Sequence, residues 1–179
     1  MSRTEVRIAG FGGQGVVLTG VLLGKAAVLY DGKHAVQTQS YGAAARGGAS
    51  RSDVIIDEAP IVYPQVTNPD IMVVFTLEAL NKYRDELKEN AILIIDKDLV
   101  SAPEGTTFKI YEVPATSLAV EEFGRGIVAN MIMLGFLAAL TEVVHKDALQ
   151  EAIRTSVPKG TEELNLSAFA KGMELANKL

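Results

Sequence analysis

The sequence predicts a three-layer α/β fold, with a mostly parallel sheet, helices on both faces in a Rossmann-like arrangement, and a helical C-terminal third. The order of elements through residues 1–113 is mostly strand, helix, strand, which is the pattern of α/β proteins. The apolar runs at residues 70–76 and 91–96 are continuous rather than alternating, which is typical of parallel strands covered on both faces. A length of 179 residues suits one compact domain, so we expect a single domain over residues 1–179.

Hydrophobic periodicity predicts each element in turn. A short β-type run at residues 5–10 ends in a glycine cluster, and the broad apolar stripe after it predicts a helix over residues 15–30. The remaining strands are predicted at residues 34–39, 50–57, 70–76, 91–96 and 108–113, with a polar helix at 77–89 and a short helix at 114–122. Three helices close the chain, at residues 127–144, 146–156 and 161–177.

Composition excludes several classes of protein. With no cysteine, this chain has no disulfide, no thiolate nucleophile, no cysteine-bound zinc and no iron–sulfur cluster of its own, so any redox chemistry uses a cofactor or another subunit. The net charge of −5 argues against nucleic acid as the main partner. The most apolar stretch, residues 131–140, is too short to cross a bilayer, and the N-terminus lacks the apolar core of a signal peptide. We therefore expect a cytoplasmic protein with no membrane segment.

Charge and glycine are concentrated near the N-terminus. Residues 1–53 hold six basic and three acidic residues, and ten of the 16 glycines lie within the first 48 positions. The basic residues are Arg3, Arg7, Lys25, Lys33, Arg46 and Arg51. A positive, glycine-rich segment on an otherwise acidic chain indicates a local anion site.

The first candidate site lies between the first strand and the first helix and has the pattern G-x-G-x-x-G. It consists of Gly10, Phe11, Gly12, Gly13, Gln14 and Gly15. Glycines let backbone N–H groups approach a phosphate closely, and a helix N-terminus adds a favourable dipole. A dinucleotide site also needs an acid at the end of the second strand, where this chain reads Gln-Thr-Gln at residues 37–39, so a standard NAD site is not expected. The alternative is a tight turn that packs the helix on the strand.

Two further candidates are Arg46 and Asn130. Arg46 stands among small residues in the loop after the second strand, at the edge where a parallel sheet also places the glycine loop. Its guanidinium could bind phosphate or carboxylate, or it could pair with a surface acid. Asn130 lies in the most apolar helix, where a buried amide needs a partner, either a ligand or a neighbouring carbonyl.

An independent catalytic centre is not expected on this chain. His34 and His145 lack metal-ligand spacing, and the sequence contains no G-x-S-x-G elbow, Walker motif or H-E-x-x-H.

Four segments in fixed order carry a family resemblance. They read IAGFGGQGVVLTG, SYGAAARGGASRSDVII, GIVANMIMLGFLAAL and VPKGTEELNLSAF, and together they span nearly the whole chain. The sequence resembles the gamma subunit of the 2-oxoacid:ferredoxin oxidoreductases, and its SYG and ARGG elements most resemble the 2-oxoglutarate (2-ketoglutarate) branch.

The resemblance implies a role within a larger enzyme. Such enzymes oxidatively decarboxylate a 2-oxoacid, join the acyl group to coenzyme A and reduce ferredoxin. Thiamine diphosphate, Mg²⁺ and iron–sulfur clusters are expected on the alpha, beta and delta partner subunits only. This chain is expected to contribute part of the coenzyme A site, through residues 10–15, Arg46 and Asn130, and to help assemble the complex.

Two other functions remain open at the level of sequence. One is a free-standing oxidoreductase that binds NAD or a flavin, and the other is a purely structural subunit whose glycine loop serves only packing. In isolation the chain is expected to be inactive and to form a homodimer, because exposed apolar surface on a lone subunit promotes pairing.

Overall fold

The computed structural model describes residues 3–41 and 48–179. Its strands are β1 (Thr4–Gly10), β2 (His34–Ser40), β3 (Ser50–Asp57), β4 (Ile71–Val74), β5 (Ile92–Asp96) and β6 (Lys109–Val113). Its helices are α1 (Val16–Leu29), α2 (Leu77–Tyr83), α3 (Ala115–Phe123), α4 (Ala129–Thr141), α5 (Lys146–Arg154) and α6 (Glu162–Ala176). Within these ranges no helix is long and apolar enough to cross a membrane.

The six strands form one sheet in the order β2-β3-β1-β4-β5-β6. Only β3 is antiparallel to its neighbours, so the other five strands run in one direction and the predicted mostly parallel sheet is confirmed. Their carboxyl ends share one edge, which we call the carboxyl edge. Because β3 lies between β1 and β2, these two strands are about 10 Å apart rather than adjacent.

Helices cover both faces of the sheet, as predicted, but unequally. Side chains such as Val6 and Ile8 face the side on which α1, α3, α4, α5 and α6 pack. Side chains such as Ala9 and Met72 face the other side, where α2 packs. Alternate residues of each strand thus pack into two hydrophobic cores, one on each face of the sheet, which explains the continuous apolar runs in the sequence.

Two predicted helices are shorter than their sequence patterns. The helix predicted at residues 77–89 ends at Tyr83, continues as a 3₁₀ turn at Arg84–Glu86, and is followed by Asn90 with a left-handed φ of 62°. The helix predicted at residues 127–144 begins as a 3₁₀ turn at Gly126–Val128 and stops at Glu142, whose φ is 51°. Apolar residues beyond each end pack in the core without being helical, so periodicity overestimated the length.

Helix α4 is held by a backbone contact with α6. A Cβ at Gly135 would lie 1.9 Å from the carbonyl oxygen of Phe169, and a Cβ at Gly172 would lie 1.9 Å from that of Ile132. Because both positions are glycine, the backbones of α4 and α6 come into direct contact where the two helices cross. This crossing fixes α4 in the core and directs its first turn towards the carboxyl edge.

Candidate functional site

The glycine loop, residues 10–15, lies at the carboxyl edge and runs from the last residue of β1 to the residue before α1, as the sequence predicts. Its conformation needs glycine at two positions, because Gly13 and Gly15 have left-handed φ values of 91° and 76°. Gln14 closes the loop: its side-chain oxygen accepts the N–H of Phe11 at 2.7 Å, while its own N–H donates to the Phe11 carbonyl at 3.3 Å. The loop is therefore held in one shape by its own residues.

The glycines of the loop divide into two groups. A Cβ at Gly10 would lie 2.6 Å from Gln14 Oε1 and 3.0 Å from the Cβ of Phe75, so Gly10 is required for packing. In contrast, no atom lies within 4 Å of a Cβ built at Gly12 or Gly13. Close packing thus accounts for Gly10, whereas Gly12 and Gly13 keep an exposed stretch of backbone open to a ligand.

Asn130 meets the glycine loop directly. A Cβ at Gly15 would lie 2.2 Å from Asn130 Nδ2, so the side chain of Asn130 packs against the residue before α1. Asn130 is only 3% exposed, so its amide is held at this position by the surrounding core. The amide group therefore lies beside the start of α1, where it can donate or accept a hydrogen bond.

The N-terminus of helix α1 lies beside the amide of Asn130. Its 14 residues start at Val16, and Gly15 provides no side-chain cap. The first N–H groups of a helix have no acceptor within it and carry the positive end of the dipole. The open loop, the helix start and Asn130 together form an arrangement suited to an anion.

Two clefts flank the loop. The glycine cleft, of about 320 Å³, is lined by residues 11–13 and 15–18 with Tyr41, Ser50 and Ile127. A second cleft, of about 310 Å³, includes Gln14, Phe75, Leu99 and Thr116. Gly13 and Ile127 border both clefts, and Ile127 is 55% exposed.

Arg46 lies outside the described residues, but the neighbouring strands fix where its loop begins and ends. Ser40 at the end of β2 pairs with Arg51, and Ser50 at the start of β3 pairs with Gly10. Both ends of the connection therefore lie at the carboxyl edge beside the glycine loop, as the parallel direction of β1 and β2 predicts.

The described basic residues of positions 1–53 make contacts within the chain. Each of the five basic residues that the structure describes there has a polar partner: Arg3 with Glu5, Arg7 with Asp53, Lys25 with Thr155, Lys33 with Asp31, and Arg51 with Asp53. Three of these partners, Glu5, Asp31 and Asp53, are the acids already counted in the segment, so the pairs leave its net charge unchanged. Glu86, which pairs with Arg7 and Arg51, is an acid that the fold adds from outside the segment.

Arg7 is the most deeply buried of these basic residues, and its structural role was not predicted from the sequence. Its guanidinium is fully buried, donates to both carboxylate oxygens of Asp53 at 2.7 and 3.0 Å, pairs with Glu86 and lies 5.1 Å from the ring centre of Tyr83. Burial lowers the pKa of Arg7, but the hydrogen bonds with Asp53 and Glu86 outweigh it, so the pKa is raised. This cluster joins β1, β3 and the turn after α2.

A buried acid at the end of β5 was also missed. Asp96 is fully buried and accepts the Thr116 hydroxyl at 2.6 Å, which ties β5 to the start of α3 beside the second cleft. Burial raises the pKa of Asp96, although hydrogen bonds from Thr116 and the Asp98 N–H partly oppose the rise. An acid that ends an apolar strand was the available indication in the sequence.

Comparison with known proteins places the chain among oxidoreductase subunits. Residues 5–175 match the family model for pyruvate ferredoxin/flavodoxin oxidoreductase. The chain is 53% identical over 180 residues to 2-oxoglutarate synthase subunit KorC of Methanocaldococcus jannaschii, covering 99% of this chain and 96% of that protein.

Solved structures of related proteins support the same family. The keto/oxoacid ferredoxin oxidoreductase gamma subunit of Geobacter sulfurreducens PCA superposes with a TM-score of 0.88 at 42% identity, covering 98% of this chain and 99% of that one. The 2-oxoglutarate:ferredoxin oxidoreductase of Magnetococcus marinus, whose structure contains 2-oxoglutarate, coenzyme A and succinyl-CoA, shares the fold, with a TM-score of 0.90 at 23% identity. The match covers 100% of this chain and 32% of that one.

Proposed function

Because the chain belongs to the pyruvate ferredoxin/flavodoxin oxidoreductase family, as a gamma subunit of a 2-oxoacid:ferredoxin oxidoreductase, we propose that it holds the nucleotide end of coenzyme A beside a thiamine site on a partner subunit. The resemblance carried by the four sequence motifs is thereby confirmed at the level of the family. The coenzyme A contact itself is the proposal, and it rests on the residues of the carboxyl edge.

One observation carries the proposal: the amide of Asn130, a residue only 3% exposed, lies against Gly15 at the uncapped start of α1. The exposed backbone of Gly12 and Gly13 is next to it, with no atom near either Cβ position. A pyrophosphate fits these groups, because it accepts several hydrogen bonds and carries the negative charge that a helix N-terminus favours. When bound, coenzyme A supplies the thiol that accepts the acyl group.

We assign the whole glycine loop, residues 10–15, to this site together with Arg46. The loop after β2 starts and ends at the same edge as the glycine loop, which supports a shared ligand. A guanidinium binds phosphate through two parallel hydrogen bonds, so Arg46 suits either the pyrophosphate or the 3′-phosphate of coenzyme A.

The remaining chemistry belongs to partner subunits in this proposal. With no cysteine, this chain cannot hold an iron–sulfur cluster through thiolates, so the clusters, thiamine diphosphate and Mg²⁺ lie on alpha, beta or delta subunits. The identity of 53% to a 2-oxoglutarate synthase subunit supports 2-oxoglutarate as the 2-oxoacid. The identity of 42% to a keto/oxoacid ferredoxin oxidoreductase gamma subunit supports ferredoxin as the electron acceptor. We further propose that residues 1–179 form one gamma-type domain of a cytoplasmic complex.

The strand order disfavours the alternative of a free-standing NAD enzyme. In a dinucleotide fold the second strand lies next to the first and ends in an acid that binds the ribose. Here β3 separates β2 from β1, and β2 ends with glutamine, threonine, glutamine and serine at residues 37–40. An acid at that strand end would lie one strand farther from the glycine loop.

A pair of asparagine variants tests the proposal in the assembled enzyme. Asn130→Ala removes the amide at the ligand site, whereas Asn165→Ala removes a helical asparagine that bonds the Thr161 carbonyl elsewhere. Loss of a hydrogen bond to a phosphate, roughly 1.5–3 kcal/mol, raises the KM for coenzyme A about 10- to 150-fold. We expect this rise in Asn130→Ala alone, with an unchanged KM for 2-oxoglutarate. An unchanged KM for coenzyme A in an intact Asn130→Ala complex would favour a purely structural subunit.

A further inference from the structure

Two aromatic side chains line the glycine cleft. Phe11 is 37% exposed and Tyr41 is 64% exposed, and both border the space next to the start of α1. Among the described residues, the one aromatic ring pair is Tyr111 with Phe136, and the cations that lie over a ring lie over Tyr83. The faces of Phe11 and Tyr41 are therefore not used by another described ring or cation.

Tyr41 lies at the carboxyl edge, next to the end of β2. Gln39 Nε2 donates to the hydroxyl of Tyr41 at 2.9 Å, but this contact is exposed to solvent and adds little to the placement of the ring. Tyr41 follows directly after Ser40, the last residue of β2 at the carboxyl edge.

The rest of the glycine cleft is suited to a flat, weakly polar group. Val17 and Ile127 line it together with glycine backbone, and Ser50 contributes a small polar side chain. The same cleft includes Val16, Val17 and Leu18, whose N–H groups open α1. An aromatic, apolar cleft joined to an anion-binding helix start has the chemistry of a nucleotide site, with the base on the rings and the phosphates at the helix.

We propose that Tyr41 is the stacking platform for the adenine ring of coenzyme A, with Phe11 contributing a second ring to the same cleft. This inference rests on the proposed function, since it assigns one part of the same ligand. Stacking depends on the aromatic face and not on the hydroxyl, so phenylalanine should replace Tyr41 and alanine should not. Binding of the pantetheine end, which carries the thiol, should not change in either variant.

Fragments of coenzyme A test this in the assembled enzyme. Adenosine 3′,5′-bisphosphate carries the adenine end without the thiol, and pantetheine carries the thiol without the nucleotide. We expect Tyr41→Ala to raise the inhibition constant of adenosine 3′,5′-bisphosphate about 5- to 100-fold, and Tyr41→Phe to stay within about twofold of the wild type. The rate with pantetheine as acyl acceptor should not change in either variant. Tyr63→Ala, which removes another exposed tyrosine remote from the loop, is the matched control.

The outcomes separate the two proposals. An unchanged inhibition constant in Tyr41→Ala, together with a raised KM for coenzyme A in Asn130→Ala, overturns the stacking role and leaves the proposed function intact. If neither variant changes its constant, both proposals fail. A loss in Tyr41→Phe equal to that in Tyr41→Ala also overturns stacking, because it assigns the effect to the hydroxyl.

Discussion

Replacement of Gly12 by alanine adds one methyl group where the free chain has room for it. No atom lies within 4 Å of the Cβ position, and Gly12 is not among the residues with a left-handed φ. The free energy of unfolding should therefore change by less than about 1 kcal/mol, towards greater stability if at all, since alanine restricts the unfolded chain.

Bound coenzyme A should make the same methyl group costly. A phosphate that accepts an N–H of the loop must come within about 3 Å of the nitrogen, and a Cβ at Gly12 occupies part of that approach. Loss of one charge-assisted hydrogen bond costs roughly 1.5–3 kcal/mol, which corresponds to a rise of about 10- to 150-fold in the KM for coenzyme A. The KM for 2-oxoglutarate should not change.

Steady-state kinetics of the assembled enzyme and thermal unfolding of the isolated chain measure the two quantities separately. Gly24→Ala is the matched control, because it makes the same substitution inside α1, where the new Cβ would have an ordinary contact of 3.7 Å with Gln37. It should leave both KM values unchanged and stabilise the helix by up to about 1 kcal/mol. A wild-type KM for coenzyme A in Gly12→Ala would refute a close approach of phosphate to this loop.

Three further substitutions test the site and the framework behind it. Arg46→Ala should weaken the binding of coenzyme A by roughly 1–3 kcal/mol in the assembled enzyme. A KM for coenzyme A that stays within twofold of the wild-type value would show that Arg46 does not contact the ligand. Gly135→Ala should destabilise the chain by at least about 1–3 kcal/mol in urea unfolding, because its Cβ would lie 1.9 Å from a carbonyl oxygen of α6. A free energy of unfolding in urea equal to that of the wild type would contradict the close backbone contact between α4 and α6. Arg7→Met should cost roughly 3 kcal/mol, the lower end for breaking a buried pair, because Arg51 remains 3.5 Å from Asp53. Adding Asp53→Leu should recover part of this loss, and no recovery would contradict the pairing.

Local patterns predicted the fold class because they reflect burial within each element. The continuous apolar runs of β4 and β5 predicted strands covered on both faces, and the stripe of α1 predicted a helix packed on the sheet. The place of β3 was not predictable in this way. Its pairing with β1 and β2 depends on which strand edges meet in space, and hydrophobic alternation is the same for either direction.

The candidate site was predictable in its parts but not in its assembly. The glycine loop and Asn130 were identified separately, and only the folded chain brings the amide of Asn130 against Gly15. The pairing of Arg7 with Asp53 spans 46 residues of sequence, and that with Glu86 spans 79, so neither partner was recognisable from local spacing.

By itself the sequence determined a glycine-rich loop between a strand and a helix, a chain without cluster-binding cysteines, and a family that the comparisons confirm. The tertiary structure decided which glycines serve packing and which keep the backbone open, and which positive charges are already paired. The physical reason is that residue type and spacing act locally along the chain. Free space around a Cβ, burial of an amide and neutralisation of a charge are set by neighbours that are distant in sequence.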